Sequence, residues 1–345
     1  MLTIFSPDHE YQNGRSELTD GQLVRPFERP ERARMILERV REVGLGDIEE
    51  PGDHGLDAVK RVHDPGLVDF LSVAWNLWAA EGRENDALPL CWQVRGLSPR
   101  EPESIDGKLS YFSFDAGTPI TPGTWRAVRS SANTALSGAA ALIRGEKAVF
   151  SLCRPPGHHA HADVYGGYCF LNNAAIAAQS LLDGGCARVT ILDVDYHHGN
   201  GTQSIFYTRP DVQFLSIHAD PRHEFPFFLG HADERGQAAG RGHNFNYPLP
   251  WGTGWDRWSV ALDAAVDEID MFAPDALVVS LGVDTYEKDP ISQFTLGTDA
   301  FPQIGAALAK LNRPVLFVME GGYAIDEVGV NTVNVLTGFE GASGL

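Results

Sequence analysis

The chain has no closely spaced cysteines. Cys91, Cys153, Cys169 and Cys186 are its four cysteines in 345 residues, and their spacing excludes a thiolate zinc finger and a disulfide framework, leaving reduced structural thiols as the expectation. Long apolar runs are missing too. No stretch approaches the roughly 20 residues that cross a bilayer, and the opening MLTIFSPDHEYQN has neither the basic start nor the apolar segment of a secretory signal. A cytoplasmic location with no membrane partner is therefore expected. Basic residues are scarce: 27 Lys and Arg stand against 46 Asp and Glu, for a formal net charge of -19. Binding DNA or RNA needs a concentrated basic surface, so nucleic acid is excluded as a partner and a cationic ligand is favoured. Repeats, low-complexity tracts and Gly/Ser linkers are also missing. One domain over residues 1–345 is expected, with the 43% hydrophobic content of a globular protein.

What is present is one pattern used four times. The apolar runs 147–152, 188–192, 276–281 and 314–319 end respectively in CRPPGHHAHADVYGGY, DVDYHHGNG, GVDTYEKDP and EGGYAIDE. Each reads as a buried strand stopping at a polar, glycine-rich loop. Residues 212–217 add a strand ending at His218, and 2–5 a first one. Helical spacing marks 30–43, 67–78, 128–142 (closed by Gly145), 173–182, 256–272 and 301–311. Alternating strands and helices predict an α/β fold: a three-layer α/β/α domain with a central, mostly parallel sheet, right-handed crossovers, and a site where the loops converge beyond the strands' carboxyl ends. From 84 to 125 the pattern dissolves among prolines 89, 99, 102, 119 and 122 and glycines 96, 107, 117 and 123. A connection that long covers a site or an interface, and Leu88, Leu90, Trp92, Tyr111, Phe112 and Phe114 make it too apolar for a solvated tether.

The loops carry the chemistry. Asp193, Asp195 and His197 recur at every second position, so in extended chain they face one point just past the strand. Asp195 and His197 make half of a zinc site, and Asp284, in the matching position after the run LVVSLGV, is the candidate third ligand. Two carboxylates and a neutral imidazole leave Zn2+ with no net charge and an open position, the catalytic arrangement. His158 and His159 on the rigid PPGHH turn can present two imidazoles to one substrate, one as a base toward water and the other steadying charge. Asp193 and Asn200 are placed to fix their tautomers. Tyr323 in EGGY can donate to an oxyanion, and Tyr168 and Phe225 can wall a narrow channel for an aliphatic chain. Taken singly, each also reads as a helix cap, a buried hydrogen-bonded pair or a packed aromatic.

Taken together, PPGHH, GGYCFLNNAA, LDVDYHHGNGTQ, SLGVD and MEGGY resemble the zinc-dependent histone deacetylase family and its arginase/deacetylase fold over nearly the whole chain. The opening FSPDHEYQNGRSEL, the 84–125 insertion and SLCRPPGHH are similar to the bacterial acetylpolyamine amidohydrolases within it. The resemblance implies one Zn2+ on Asp195, His197 and Asp284, with His158 and His159 assisting water attack on an acetamide and Tyr323 polarising its carbonyl. It implies substrate contacts at Gly167, Tyr168 and Phe225. It further implies structural K+ or Na+ at Asp193, Asp195, His197, Ser216 and Ile217, and at Phe206, Arg209 and Val212. A homodimer through the insertion and a small cationic acetylated amine as substrate complete the expectation. Asp106, or failing it Asp115, would supply the anion for the distal ammonium, while Gly117 stands where another acid would be expected. Asn200 departs from the aspartate that many members use, which leaves His159 the easier histidine to keep neutral as base. A protein acetyl-lysine deacetylase shares all of this except the rim. A dinuclear manganese hydrolase needs more ligands than these loops offer, and a non-enzymatic binder of acetylated amines is the remaining alternative.

Overall fold

Runs such as Leu277–Leu281 with no polar alternation must be covered on both faces, and that requirement organises the molecule. In the computed structural model, which describes residues 1–19, 21–94 and 98–344, the chain runs β1 (Leu2–Ile4), β2 (Glu17–Thr19), β3 (Gln22–Val24), α1 (Glu31–Val43), β4 (Ile48–Glu49), α2 (Asp57–Lys60), α3 (Pro65–Ala80), α4 (Ile105–Tyr111), α5 (Thr124–Ile143), β5 (Ala148–Ser151), α6 (Asn173–Asp183), β6 (Val189–Asp193), α7 (Asn200–Phe206), β7 (Val212–Ala219), β8 (Asn244–Leu249), α8 (Trp255–Phe272), β9 (Ala276–Leu281), α9 (Phe301–Ala309), β10 (Val315–Met319) and α10 (Ile325–Ser343). Eight strands form one sheet in the order β4-β1-β5-β10-β9-β6-β7-β8, with every pairing parallel; β2 and β3 form a separate antiparallel hairpin.

Successive side chains on each strand enter opposite layers. Phe150, Leu192, Leu215, Val279 and Phe317 join one apolar cluster with α1, α8, α9 and α10. Their neighbours Val149, Ile191, Phe214, Val278 and Leu316 join a second cluster with α3, α5 and α6. The register then decides where chemistry can occur. Ser151 pairs with Val318, Val318 with Ser280, Ser280 with Asp193, and Asp193 with Ser216. The strands therefore end level, and the loops that follow them leave from one row.

The expected strands and helices are found within a few residues of their predicted bounds, and Gly145 closes α5 by donating its N–H to the Leu142 carbonyl at 2.9 Å. The 84–125 segment corrects the expectation of a structureless connection. Ser104 Oγ caps α4 by accepting the Gly107 N–H, Ala87 and Ile120 exchange backbone hydrogen bonds at 2.9 and 3.0 Å, and Ile105, Leu109 and Phe112 are buried. Residues 95–97 of that segment, Gly96 among them, lie outside the described residues. The edge strands β4 and β8, the hairpin, α7 and α10 had no matching expectation. Helix α10 is rich in Val, Thr, Asn and Gly, all weak helix formers; packing holds it, since a Cβ on Gly305 of α9 would sit 1.9 Å from the Val335 carbonyl.

Candidate active site

Asp195, His197 and Asp284 meet as the sequence pattern requires. His197 Nδ1 stands 3.3 Å from Asp195 Oδ1 and 3.1 Å from Asp284 Oδ2, and the three offer ligand atoms within 4.8 Å of one another. The loop backbones aim them: the Gly321 N–H donates to Asp195 Oδ2 at 2.8 Å, and the Tyr196 N–H to Asp284 Oδ1 at 2.8 Å. Both carboxylates are fully buried, and among the described residues no Lys or Arg pairs with either; their ion partners are histidines. Burial and the charge of Asp195 push the Asp284 carboxyl up to about 8. Two such carboxylates stay ionised together only with positive charge between them. Nitrogen and oxygen donors around one open point fit a divalent cation.

A second group, His158, Cys169 and Glu320, has ligand atoms equally close, but its donors are already used. Glu320 Oε2 accepts the N–H groups of Gly157 at 2.6 Å and His158 at 3.1 Å, the Cys169 thiol donates to the Gly167 carbonyl at 3.3 Å, and burial holds that thiol well above its ordinary range. Glu320 instead fixes the PPGHH turn.

That turn sets the two histidines side by side, with ring centroids 3.9 Å apart. His158 Nδ1 lies 2.9 Å from Asp193 Oδ2, and its Nε2 lies 3.8 Å from Asp195 Oδ1, on the metal side. His159 Nδ1 lies 2.7 Å from Asn200 Oδ1, on the first turn of α7. Burial opposes charge on both rings. At His158 the carboxylates of Asp193 and Asp195 outweigh it and raise the pKa to about 10. At His159 burial acts with the neighbouring His158 and lowers it well below the ordinary value.

Tyr323 follows β10 with its backbone N–H on Asp289 Oδ2 at 2.6 Å and the Arg32 guanidinium 4.7 Å from its ring centre. Arg32 donates to the carbonyls of Gly322 at 2.6 Å and Glu320 at 2.5 Å, clamping the EGGY turn. Burial raises the Tyr323 hydroxyl well above its usual range, so it stays protonated and able to donate. Tyr168 stands edge-on to Tyr323, with centroids 5.7 Å apart, and Phe225 edge-on to His159 at 5.0 Å. Gly167 presses its backbone on His159: a Cβ there would lie 2.4 Å from His159 Cδ2, and its φ is +58°.

Other expected site residues are differently engaged. Asp106 is on α4 in a bidentate pair with Arg83 at 2.5 and 2.8 Å, so its charge is already matched. Asp115 is an anchor rather than a rim acid: it accepts the Gly167 N–H and, at 3.0 Å, the Thr118 hydroxyl, and burial raises its pKa. The Phe206 carbonyl accepts the Arg209 N–H at 2.9 Å, and the Arg209 side chain pairs with Asp211. Ser216 Oγ donates to His218 Nδ1 at 2.8 Å, because His218 Nε2–H is used on the Gly230 carbonyl at 2.9 Å; the serine lone pairs remain available.

Sequence reasoning assigned no role to Glu17, Arg32, Phe114, Asp289 or Glu320. Phe114 stacks on Phe225 with centroids 6.1 Å apart, which brings the insertion to the channel wall. Glu17 is buried against the Tyr168 hydroxyl, and burial raises its pKa to about 7. Only Glu320, beside the Gly-Gly pair, had a local signal; the others act across long chain separations.

The chain belongs to the histone deacetylase family: the histone deacetylase domain matches residues 26–339. Within that family it is 60% identical over 341 residues to acetylpolyamine amidohydrolase 2 of Pseudomonas aeruginosa, covering 99% of each chain. It is 50% identical over 341 residues to the acetylpolyamine amidohydrolase of Mycoplana ramosa, covering 99% of this chain and 100% of that one. The crystal structure of acetylpolyamine aminohydrolase from Burkholderia pseudomallei superposes with a TM-score of 0.95 at 40% identity and 99% coverage of both chains.

Proposed function

We propose that this protein is a zinc-dependent amidohydrolase that removes acetyl from acetylated polyamines and similar N-acetylalkylamines. The observation that carries the reading is the convergence of a buried Asp–His–Asp donor set with two adjacent buried imidazoles and a buried tyrosine. Asp195, His197 and Asp284 hold the zinc, and the ion, when bound, supplies Lewis acidity toward both a water and the acetamide carbonyl. The residues do the rest. His159, kept neutral, takes the proton from the attacking water at Nε2, its Nδ1–H being spent on Asn200. His158, kept charged by Asp193, faces the same point and returns a proton to the departing amine. The Tyr323 hydroxyl donates to the oxygen that becomes an oxyanion.

The substrate is read from the walls. Tyr168, Phe225 and Phe114 suit a slender alkyl chain, and the acidic balance of the chain suits a cation. Asp106, paired with Arg83, offers a distal ammonium no unmatched charge. The free lone pairs of Ser216 support a monovalent cation at Asp193, Asp195, His197, Ser216 and Ile217. In the insertion, Leu90, Trp92 and Val94 are 80, 46 and 87% exposed, which supports a homodimer with a second copy covering them.

Turnover of N-acetylputrescine against an acetyl-lysine peptide tests the substrate class. A preference for the peptide contradicts it. Tyr323→Phe should lower kcat by about 10²–10³ with KM little changed; unchanged turnover removes the oxyanion role.

A further inference from the structure

Asn200 does a job that a carboxylate would do without ambiguity. Either oxygen of a carboxylate accepts, whereas an amide presents oxygen on one side and NH2 on the other, and its two orientations fill the same space. Only the orientation with Oδ1 toward His159 accepts an Nδ1–H and leaves Nε2 with a lone pair. The reverse orientation donates Nδ2–H to Nδ1 and moves the ring proton to Nε2, where no base remains.

The amide is held from its far side. Asn200 Nδ2 lies 3.0 Å from His161 Nε2, while its Oδ1 lies 2.7 Å from His159 Nδ1. Asn200 is 5% exposed, so water does not substitute freely for either partner. His161 is itself fixed. Its backbone N–H donates to the Val164 carbonyl at 2.9 Å, its carbonyl accepts His63 Nδ1–H at 2.9 Å, and its ring meets Phe114 edge-on with centroids 5.8 Å apart. Burial lowers its pKa to about 4, so the ring is neutral, and in its Nδ1–H tautomer Nε2 is the acceptor that faces the Asn200 amide.

We infer that His161 is a positioning residue held as its Nδ1–H tautomer: by accepting the Asn200 amide N–H at Nε2 it locks the amide oxygen toward His159, and so selects the His159 tautomer that can act as base. The inference rests on His159 being the base, as proposed above. It also explains how an amide serves at that position, since a third histidine in HHAH supplies the direction that an amide alone lacks.

Imidazole 15N shifts of the zinc-loaded protein read the His159 tautomer without substrate. Wild type should be protonated at Nδ1, and His161→Leu should populate the Nε2–H form. In turnover, His161→Leu should lower kcat about three- to tenfold at near-constant KM, the bias that one hydrogen bond provides. His161→Gln, which can present an acceptor, should recover most of the loss. In the Asn200→Asp background, where either oxygen accepts, His161→Leu should cost less than about twofold. An unchanged His159 tautomer in His161→Leu, or the same kcat loss in both backgrounds, overturns the inference. If wild type does not deacetylate but the tautomer responds, the proposed function fails while the lock stands.

Discussion

His158 and His159 are consecutive residues with rings 3.9 Å apart, yet partners 35 and 41 positions away give them opposite electrical settings. His158 leans on a carboxylate and is raised to about 10; His159 leans on an amide and is pushed well below the ordinary value. Burial is common to both, so the partner decides. Titratable neighbours whose environments drive them apart are how one site carries an acid and a base at the same pH.

The comparison breaks most easily by removing each ring. Changing His159 to Ala should lower kcat by about 10³, and the same change at His158 by about 10², within the range for positioned proton transfer; equal losses in steady-state kinetics would mean the settings do not separate the roles. Swapping the partners sharpens it. Asn200→Asp stabilises the His159 imidazolium, so the base is freed only at higher pH and the acidic limb of the kcat/KM profile should move up by about one unit or more. Asp193→Asn should move the basic limb down, since His158 then loses its proton earlier; limbs that stay put would reassign both.

A smaller effect concerns stability. His63, buried with Nδ1 on the His161 carbonyl and Nε2 accepting the Asn172 N–H, is lowered to about 4. A histidine with a depressed folded-state pKa binds its proton more readily when unfolded, so folding stability falls as pH drops from about 6.5 toward 4, by up to about 3 kcal/mol. His63→Gln should flatten urea-denaturation stability across that window; Glu17 and Glu320, raised to about 7, act oppositely, losing their contribution as pH rises from about 4.5 through 7. Smallest of all is Asp106→Asn, expected to change KM for a cationic N-acetylamine by less than about threefold because Arg83 already matches its charge. A larger rise would restore Asp106 as the substrate's anion.

Much of this was legible because it is local. The alternation of Asp195 and His197, the apolar run before Asp284 and the Pro/Gly turn under His158 are patterns within a dozen residues, and each loop inherits its direction from a strand. Asp115 illustrates the limit. Its acidity suggested a rim contact, but its use as an anchor for Gly167 depends on a hydrogen bond across 52 positions.

The sequence by itself determined the parallel α/β architecture, the ends of the central strands and the identity of the residues gathered there, since apolar periodicity and loop chemistry follow from short-range pattern. Only the tertiary structure decided which partner each of those residues meets, that Asp106 is neutralised, that Glu17 lies against Tyr168 and that His161 stands behind Asn200. Those are matters of burial and contact between distant segments, and it is burial that turns a neighbouring charge or amide into a large shift of proton affinity.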